Sequence, residues 1–377
     1  MRICHVTSVH QRYDTRIFHK ECTSLANAGY DVTLLVADGK KEEVRNGVKI
    51  VSANCVPTSR YKRILLSGHV MFGAARQIDA EIYHLHDPEL LPLGKKLKRC
   101  GKKVIFDSHE NVSGQIMGKE WIPKILRLPI SIAYTIYANH ILEKMDYIIA
   151  VTPTMVMNLG KINSRSELIT NYPIINTSKH YDKTNIHEDP IFVFAGGISK
   201  QWCHKTILKA LKKVNAKYLL MGWGESSYLA DLKNDFSWEK VIFLGKVPQE
   251  EVKEQLKNCM AGLAVLEYSP NTNGKIGTLG NTKLFEYMQA GLPVICTDFI
   301  LWKDIIDKWN CGLCVSPNNI EELRQAMSYL IDNPNIASTM GANGRKAIFS
   351  EYNWGIEEKK LLNLYECLFK SDKAQTH

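Results

Sequence analysis

The sequence predicts an α/β chain made of two doubly wound domains, each organised on a parallel sheet. Three observations carry this. Short Val/Ile/Leu-rich runs alternate with helical stretches from one end to the other, one stretch near the middle loses that rhythm, and 377 residues exceed what a single ordinary core organises.

In order, RICHV, DVTLLV, VKIVS, EIYHLH, KVIFD and YIIAV are the strands of the first half, and IFVFAGG, KYLLMGWG, KVIFLG, GLAVLE, PVICT and GLCV those of the second. Each is a short, continuous apolar run suited to burial on both faces, and the connections are long enough for crossover helices, which makes the sheets parallel. Apolar periodicity lapses over residues 169–190, where Asn, Thr, Asp and Pro gather, and a hinge is expected there. The expected domains are therefore 1–170 and 171–350. The last helical run carries Leu361, Leu362, Tyr365 and Leu368 on one stripe, so 351–377 is expected to pack back towards the first domain. Two such sheets facing a central cleft would present their ligand loops at the strand carboxyl ends.

Composition narrows the class. Hydrophobic residues at 45% and charged residues at 23% are ordinary for a globular protein. The ten cysteines show no framework spacing, and the close pair Cys311 and Cys314 lacks a second pair to complete a zinc site, so a reduced, cytoplasmic setting is expected. The opening MRICHVTSVH interrupts any leader-like apolar run with charge and already alternates like a strand. No apolar window is long enough to span a bilayer. Residues 1–170 hold 24 Lys+Arg against 16 Asp+Glu, a net of +8, whereas 171–377 hold 24 against 23. The first half is the basic one, which points to an anionic surface or ligand.

After GLAVLE comes the loop YSPNTNGKIGTLGN with Gly274, Gly277 and Gly280, running into a helix near Thr282. Glycines admit close backbone approach, Asn281 or Thr282 can cap, and the free N–H groups of the helix start suit a diphosphate. One turn on, Glu286 is placed to accept hydrogen bonds from both hydroxyls of a ribose.

The run KLFEYMQAGLPVICTD resembles the signature of retaining family 4 glycosyltransferases of bacterial surface and capsular polysaccharide type. Their fold is GT-B, two Rossmann-like domains about a cleft, and the resemblance implies that Glu286 binds the ribose of a sugar nucleotide. HQRYDTRIFHKECTSLANAGYDVTLL, YHLHDPELLPLGKKLKR and VIFDSHEN resemble acceptor-domain segments, and FAGGIS, LLMGWGE, VIFLGKVPQEEV and EYNWGIEEKKLLNLYECL resemble donor-domain strands and the closing helix. His109, directly after a strand, matches the histidine that contacts the transferring sugar, with a buried structural histidine as the other reading. His10, Asp14 and Arg16 occupy the first loop; Arg16 either neutralises phosphate or pairs with Asp14 or Glu21. His86 and Asp87 fall on the acceptor side. Gly245-Lys246-Val247 matches the loop whose backbone holds the base, and the resemblance favours uridine.

Two departures stand out. Thr278 occupies the position of a second glutamate, and GGISKQWCHK puts Gly197 and Trp202 where the family has arginine and lysine. Lys200, Lys205 and Lys283 are the candidate replacements. His84, His86 and Asp87 have no carboxylate-rich partner motif and no Asp-x-Asp occurs, so no metal is expected, and the resemblance implies a nucleotide sugar as co-substrate. No carboxylate is placed as a covalent nucleophile, which favours front-face attack assisted by the leaving phosphate.

Two segments of the basic half, around Arg60, Lys62 and Arg63 and around Lys119, Trp121, Ile122, Lys124, Ile125, Leu126, Arg127 and Leu128, combine cations with apolar residues, as does the cluster Lys95, Lys96, Lys98, Arg99, Lys102 and Lys103. They suit a peripheral anionic membrane, on the inner face of the plasma membrane, as well as a solvated helix face. The expected acceptor is a growing glycan or a polyprenyl-diphosphate-linked one. No nucleic-acid module is visible. A UDP-sugar epimerase of the same fold and a non-catalytic glycan- or membrane-binding scaffold remain as alternatives.

Overall fold

A computed structural model describes residues 1–53, 70–109, 111–119, 121–175 and 189–373. Arg60, Lys62 and Arg63, and most of the 169–190 segment, lie outside the described residues. Contacts group Met1–Asn171 with Trp354–His377 in one unit, and Tyr172–Asn353 in another.

The first unit carries β1 (Arg2–Val6), β2 (Asp31–Val36), β3 (Glu43–Arg45), β4 (Val48–Ser52), β5 (Ile82–Leu85), β6 (Lys103–Ser108), β7 (Tyr147–Ala150) and β8 (Ser166–Leu168) in the order β3-β4-β2-β1-β5-β6-β7-β8. All neighbours are parallel except β3 and β4. That hairpin departs from the all-parallel expectation. Asn46 and Gly47 join it, both at positive φ, which is the turn chemistry a two-residue hairpin requires. The closing helix Trp354–Lys373 belongs to this unit: Trp354 Nε1 donates to Ser24 Oγ at 2.9 Å and Thr170 N to Glu357 Oε2 at 2.8 Å, while Leu361, Leu364, Tyr365 and Leu368 join the core of β1, β2 and β5.

The second unit is a six-stranded, wholly parallel sheet in the order β11-β10-β9-β12-β13-β14, with β9 (Ile191–Ile198), β10 (Lys217–Gly224), β11 (Val241–Gly245), β12 (Ala261–Ala264), β13 (Val294–Thr297) and β14 (Gly312–Val315). Strand order reverses between β1 and β5 in one sheet and between β9 and β12 in the other. Crossovers leave in opposite directions at such points and open a crevice beyond the strand carboxyl ends.

The helix Lys283–Gln289 is seated on this second sheet through Tyr287, whose hydroxyl accepts the Ala195 N–H at 3.1 Å. Its ring lies so close to Gly262 that a Cβ there would fall 2.2 Å from ring atoms. Gly262→Ala is expected to cost about 1–3 kcal/mol by overpacking, measurable as a lowered urea midpoint at unchanged m-value.

Candidate active site

In the second unit the switch-point loops follow β9 and β12. Gly196 sits at φ +145, and a Cβ there would meet the Lys283 side chain at 2.5 Å, so the lysine lies directly over the glycine backbone. Lys283 Nζ also lies 4.6 Å from the Trp202 ring centre and 5.2 Å from that of Phe194. Burial lowers the Lys283 pKa, and the nearby Glu286 charge offsets part of that. Stacking against two aromatic faces lets a desolvated ammonium stay at the site.

Glu286 is half-buried one turn into the same helix, with Oε1 accepting from Thr282 Oγ1 at 2.7 Å. That bond uses the Thr282 hydroxyl, and Asn281 caps instead, its Oδ1 accepting the Lys283 N–H at 3.2 Å. The preceding loop is fixed from below. Gly277 is at φ +88 against Phe299, and Thr278, in the place of a glutamate, accepts the Gly280 N–H through its hydroxyl at 3.0 Å and Trp302 Nε1–H through its carbonyl at 2.7 Å.

The other donor candidates separate. Gly197 is exposed with open space beside its Cα, and Lys200 is exposed on the short turn after β9. Lys205 lies on the helix His204–Leu211 and is engaged by Asp231 at 2.5 Å. Val247 is half-buried against the core, just past Gly245, whose φ of +66 ends β11 in a turn.

In the first unit β1, β5 and β6 deliver a dense polar cluster. Asp87, directly after β5, accepts from Ser8 N at 2.6 Å and Thr7 Oγ1 at 2.8 Å, and pairs with His10 Nδ1 at 3.0 Å. Burial alone would raise its pKa, but His10 and these donors bring it down to about 2. Burial likewise opposes protonation of His10, and Asp87 overcomes it, leaving that imidazole raised. Asp87 is thus the anchor of the first loop. Asp14 is consumed too: its side chain caps the π-helical turn Thr15–Cys22 through the Arg16 and Ile17 N–H groups.

Arg16 takes the pairing role, with Glu21 as expected and with Asp107 as the partner that the sequence did not offer. It is 4% exposed and grips Asp107 of β6 bidentately, Nε to Oδ2 at 2.9 Å and Nη2 to Oδ1 at 3.0 Å, with Glu21 a further 3.0 Å contact. Asp107 in turn holds His109, whose Nε2 lies 2.8 Å from Oδ2 and whose side chain is 17% exposed. His10 stacks near His109 with ring centres 5.2 Å apart, so these two imidazoles form the accessible edge. His86 is buried behind them, Nδ1 at 3.3 Å from His109 Nε2, and burial pushes it down to about 4 against the pull of Asp107. The statement that His84, His86 and Asp87 lack a carboxylate partner is corrected by the fold. Glu21 comes within 3.8 Å of both His86 and His5.

The sequence pointed to Glu21 only as a partner of Arg16, and it did not point to Asp107, His5 or Arg12. Arg12 pairs bidentately with Asp38 at 2.8 and 2.9 Å and with Glu43 at 2.5 Å, tying the first loop to the β3 hairpin. Asp107 ends the quoted strand KVIFD, and a lone acid at a buried strand end was the available signal.

The description "Glycosyltransferase Family 4" matches residues 3–178, and "Glycosyl transferases group 1" matches residues 176–347. Together they take in both units. The chain is a glycosyltransferase of the group 1 and family 4 kind. A mannosyltransferase of Corynebacterium glutamicum, GDP-mannose-dependent and acting on a monoacylated phosphatidylinositol monomannoside, is 26% identical over 170 residues, and the match spans 43% of each protein. Among solved structures, sucrose-phosphate synthase of Thermosynechococcus elongatus superposes with a TM-score of 0.78 over 98% of this chain and 99% of its own, at 15% identity. WaaG, a glycosyltransferase involved in lipopolysaccharide biosynthesis, gives 0.71 over 96% and 98% at 12% identity. Anabaena HepE, in complex with UDP and glucose, gives 0.70 over 97% and 100% at 9% identity. The fold of this glycosyltransferase is therefore GT-B.

In the glycosyltransferase the buried Arg16–Asp107 pair is expected to be strongly coupled. Arg16→Met should destabilise by about 3–5 kcal/mol, because it strands the Asp107 charge, and Asp107→Asn in the same chain should recover part of that loss. A denaturation double-mutant cycle measures the coupling.

Proposed function

We propose that this glycosyltransferase moves a hexosyl unit from a UDP-sugar, with retention, to a lipid-linked or growing glycan acceptor in surface or capsular polysaccharide synthesis. One observation carries the reading: a half-buried carboxylate, Glu286, held by Thr282 beside a buried ammonium, Lys283, where a glycine-rich loop meets a helix start. Glu286 accepts the ribose hydroxyls. The N–H groups of Gly277, Asn281 and Thr282 and the Lys283 ammonium receive the diphosphate, with Gly280, whose own N–H is held by Thr278, admitting close approach and Lys200 at the loop margin. Lys283 thereby supplies the charge that GGISKQWCHK lacks at Gly197 and Trp202, and no metal is needed at the diphosphate. Gly245 and Val247 flank the base.

His109, oriented by Asp107, contacts the sugar, and His10 faces the acceptor. Arg16, Asp14, Asp87 and His86 hold these two in place. In the transfer the acceptor oxygen forms a bond to the anomeric carbon as the bond to the β-phosphate oxygen breaks. The hydroxyl proton passes to that departing oxygen on the same face. UDP in the HepE structure and in a TarM structure supports the nucleotide, while the mannosyltransferase named above makes GDP-sugars the necessary comparison. Glu286→Ala is expected to raise the donor KM at least about tenfold, as losing a charge-assisted pair of hydrogen bonds should, with little change in melting temperature. Equal donor KM values would remove the assignment. Turnover of a UDP-sugar without acceptor would point to the epimerase instead.

The acceptor reading extends to a membrane surface. The helix Lys124–Leu142 buries only Ser131, Ala138, Ile141 and Leu142, leaving Ile125 83%, Ile136 66% and, just before it, Trp121 58% exposed. Lys119 lies 5.8 Å from the Trp121 ring centre, with Lys124 and Arg127 on the following turns. No helix among the described residues is long and apolar enough to cross a membrane. An apolar face rimmed by cations suits the plane of an anionic bilayer. Vesicles containing phosphatidylglycerol should sediment the protein and pure phosphatidylcholine vesicles should not. Ile125→Asp combined with Ile136→Asp should abolish the difference.

A further inference from the structure

Behind His109 lies a set of side chains of which the proposed transfer uses only His86, as a support. His5 stands on β1, His84 on β5 with His86 just beyond it, and Glu21 enters from the Thr15–Cys22 turn. All four are buried, and one ligand atom from each lies within 4.8 Å of the others. The closest three define a tight triangle. His5 Nδ1 is 2.9 Å from His86 Nε2, a hydrogen bond between the two imidazoles that a bound ion would replace, and Glu21 Oε2 is 3.8 Å from both. The point equidistant from these three atoms is about 2.05 Å from each, which falls on the metal–nitrogen and metal–oxygen bond lengths of zinc.

The outward nitrogens are already engaged. His5 Nε2 and His84 Nδ1 both meet the Tyr365 hydroxyl, at 3.3 and 2.9 Å, and His86 Nδ1 faces Asp107 Oδ2 at 3.5 Å. Glu21 Oε1 is turned to Arg16 Nε at 3.0 Å, which leaves Oε2 to the cluster. Imidazoles that bind a metal through one nitrogen characteristically spend the other on such an outer partner.

An independent observation points the same way. His84 Nε2 and Glu21 Oε2 are buried with no hydrogen-bond partner, whereas Glu21 Oε1 has the ion pair with Arg16. Buried polar side-chain atoms nearly always have one, and an ion is among the few things that can replace it.

We propose that His5, Glu21, His84 and His86 bind a single divalent first-row transition ion, with zinc the best match to three imidazoles and one carboxylate. Four protein ligands close the coordination shell, and the site is sealed from solvent, so the ion is structural. It joins β1, β5 and the Thr15–Cys22 turn. Through Tyr365 it reaches the closing helix, and through His86 and Asp107 it braces His109. This centre is separate from the diphosphate and stands or falls without reference to the donor.

The test is elemental analysis of the full chain, read without any activity assay. The chain, stripped by chelator in mild denaturant and refolded with zinc chloride, should retain about one equivalent after desalting and melt at higher temperature than the metal-free chain. Cobalt in place of zinc should give the visible absorption of a four-coordinate nitrogen–oxygen site. Glu21→Gln and His84→Asn, each removing one ligand atom with little change of shape, should lose both signals. The proposal is overturned if the folded wild-type chain keeps less than about a tenth of an equivalent of zinc, cobalt, manganese, nickel or ferrous iron offered singly. It is equally overturned if both variants bind as the wild type does, which would put the ion elsewhere. Should the variants not fold, the cobalt spectrum of the wild-type chain decides, and a six-coordinate or absent spectrum overturns it.

Discussion

Parallel strands cannot be joined by tight turns, and everything distinctive about this molecule follows from that constraint. Every parallel pair needs a crossover, so the carboxyl ends of all strands but the antiparallel β3 collect on one edge of their sheet, and where the strand order reverses two crossovers part. In the first unit the reversal lies between β1 and β5, and in the second between β9 and β12. The loops richest in His, Asp, Gly and Lys follow these strands. Chemistry is concentrated where the backbone leaves room for it.

The first unit meets this by building a polar interior at the strand ends. Asp107 is the centre of it: one carboxylate binds a buried guanidinium and an imidazole that reaches the surface. Removing a charge from water is costly, and only opposed charges with well-directed hydrogen bonds offset it. Arg16 supplies that compensation, so its position on a buried turn is as constrained as that of any core residue. The acidic loop residues Asp14 and Asp87 also point inward, satisfying backbone N–H groups. What remains exposed, His10 and His109, is therefore held from several sides.

The second unit solves a different problem. The turn after β9 exposes Lys200 and buries Trp202, and Gly196 and Gly197 before it carry no side chain. Gly196 and Gly197 leave the space, and Lys283 reaches across from the helix after β12 to occupy part of it, resting on Phe194 and Trp202. The missing side chain at Gly196 is what admits the ammonium.

Much of this was legible in the residues. Continuous apolar runs marked all but two strands, β3 and β8, each three residues long and incompletely buried, though Asn46-Gly47 was itself a hairpin signal. The glycine loop running into the helix of Glu286 was legible because turn glycines and helix caps are local features. The partners were not legible. Arg16 and Asp107 are 91 residues apart, His84 and Tyr365 281 apart, and Lys283, which follows β12, meets a glycine of β9, three strands earlier in the chain. Local sequence determined which segments are strands, helices and ligand loops, because periodicity and turn chemistry act over a few residues. Only the tertiary structure decided which charges meet, since that depends on strand order, and strand order is settled by packing the whole sheet at once.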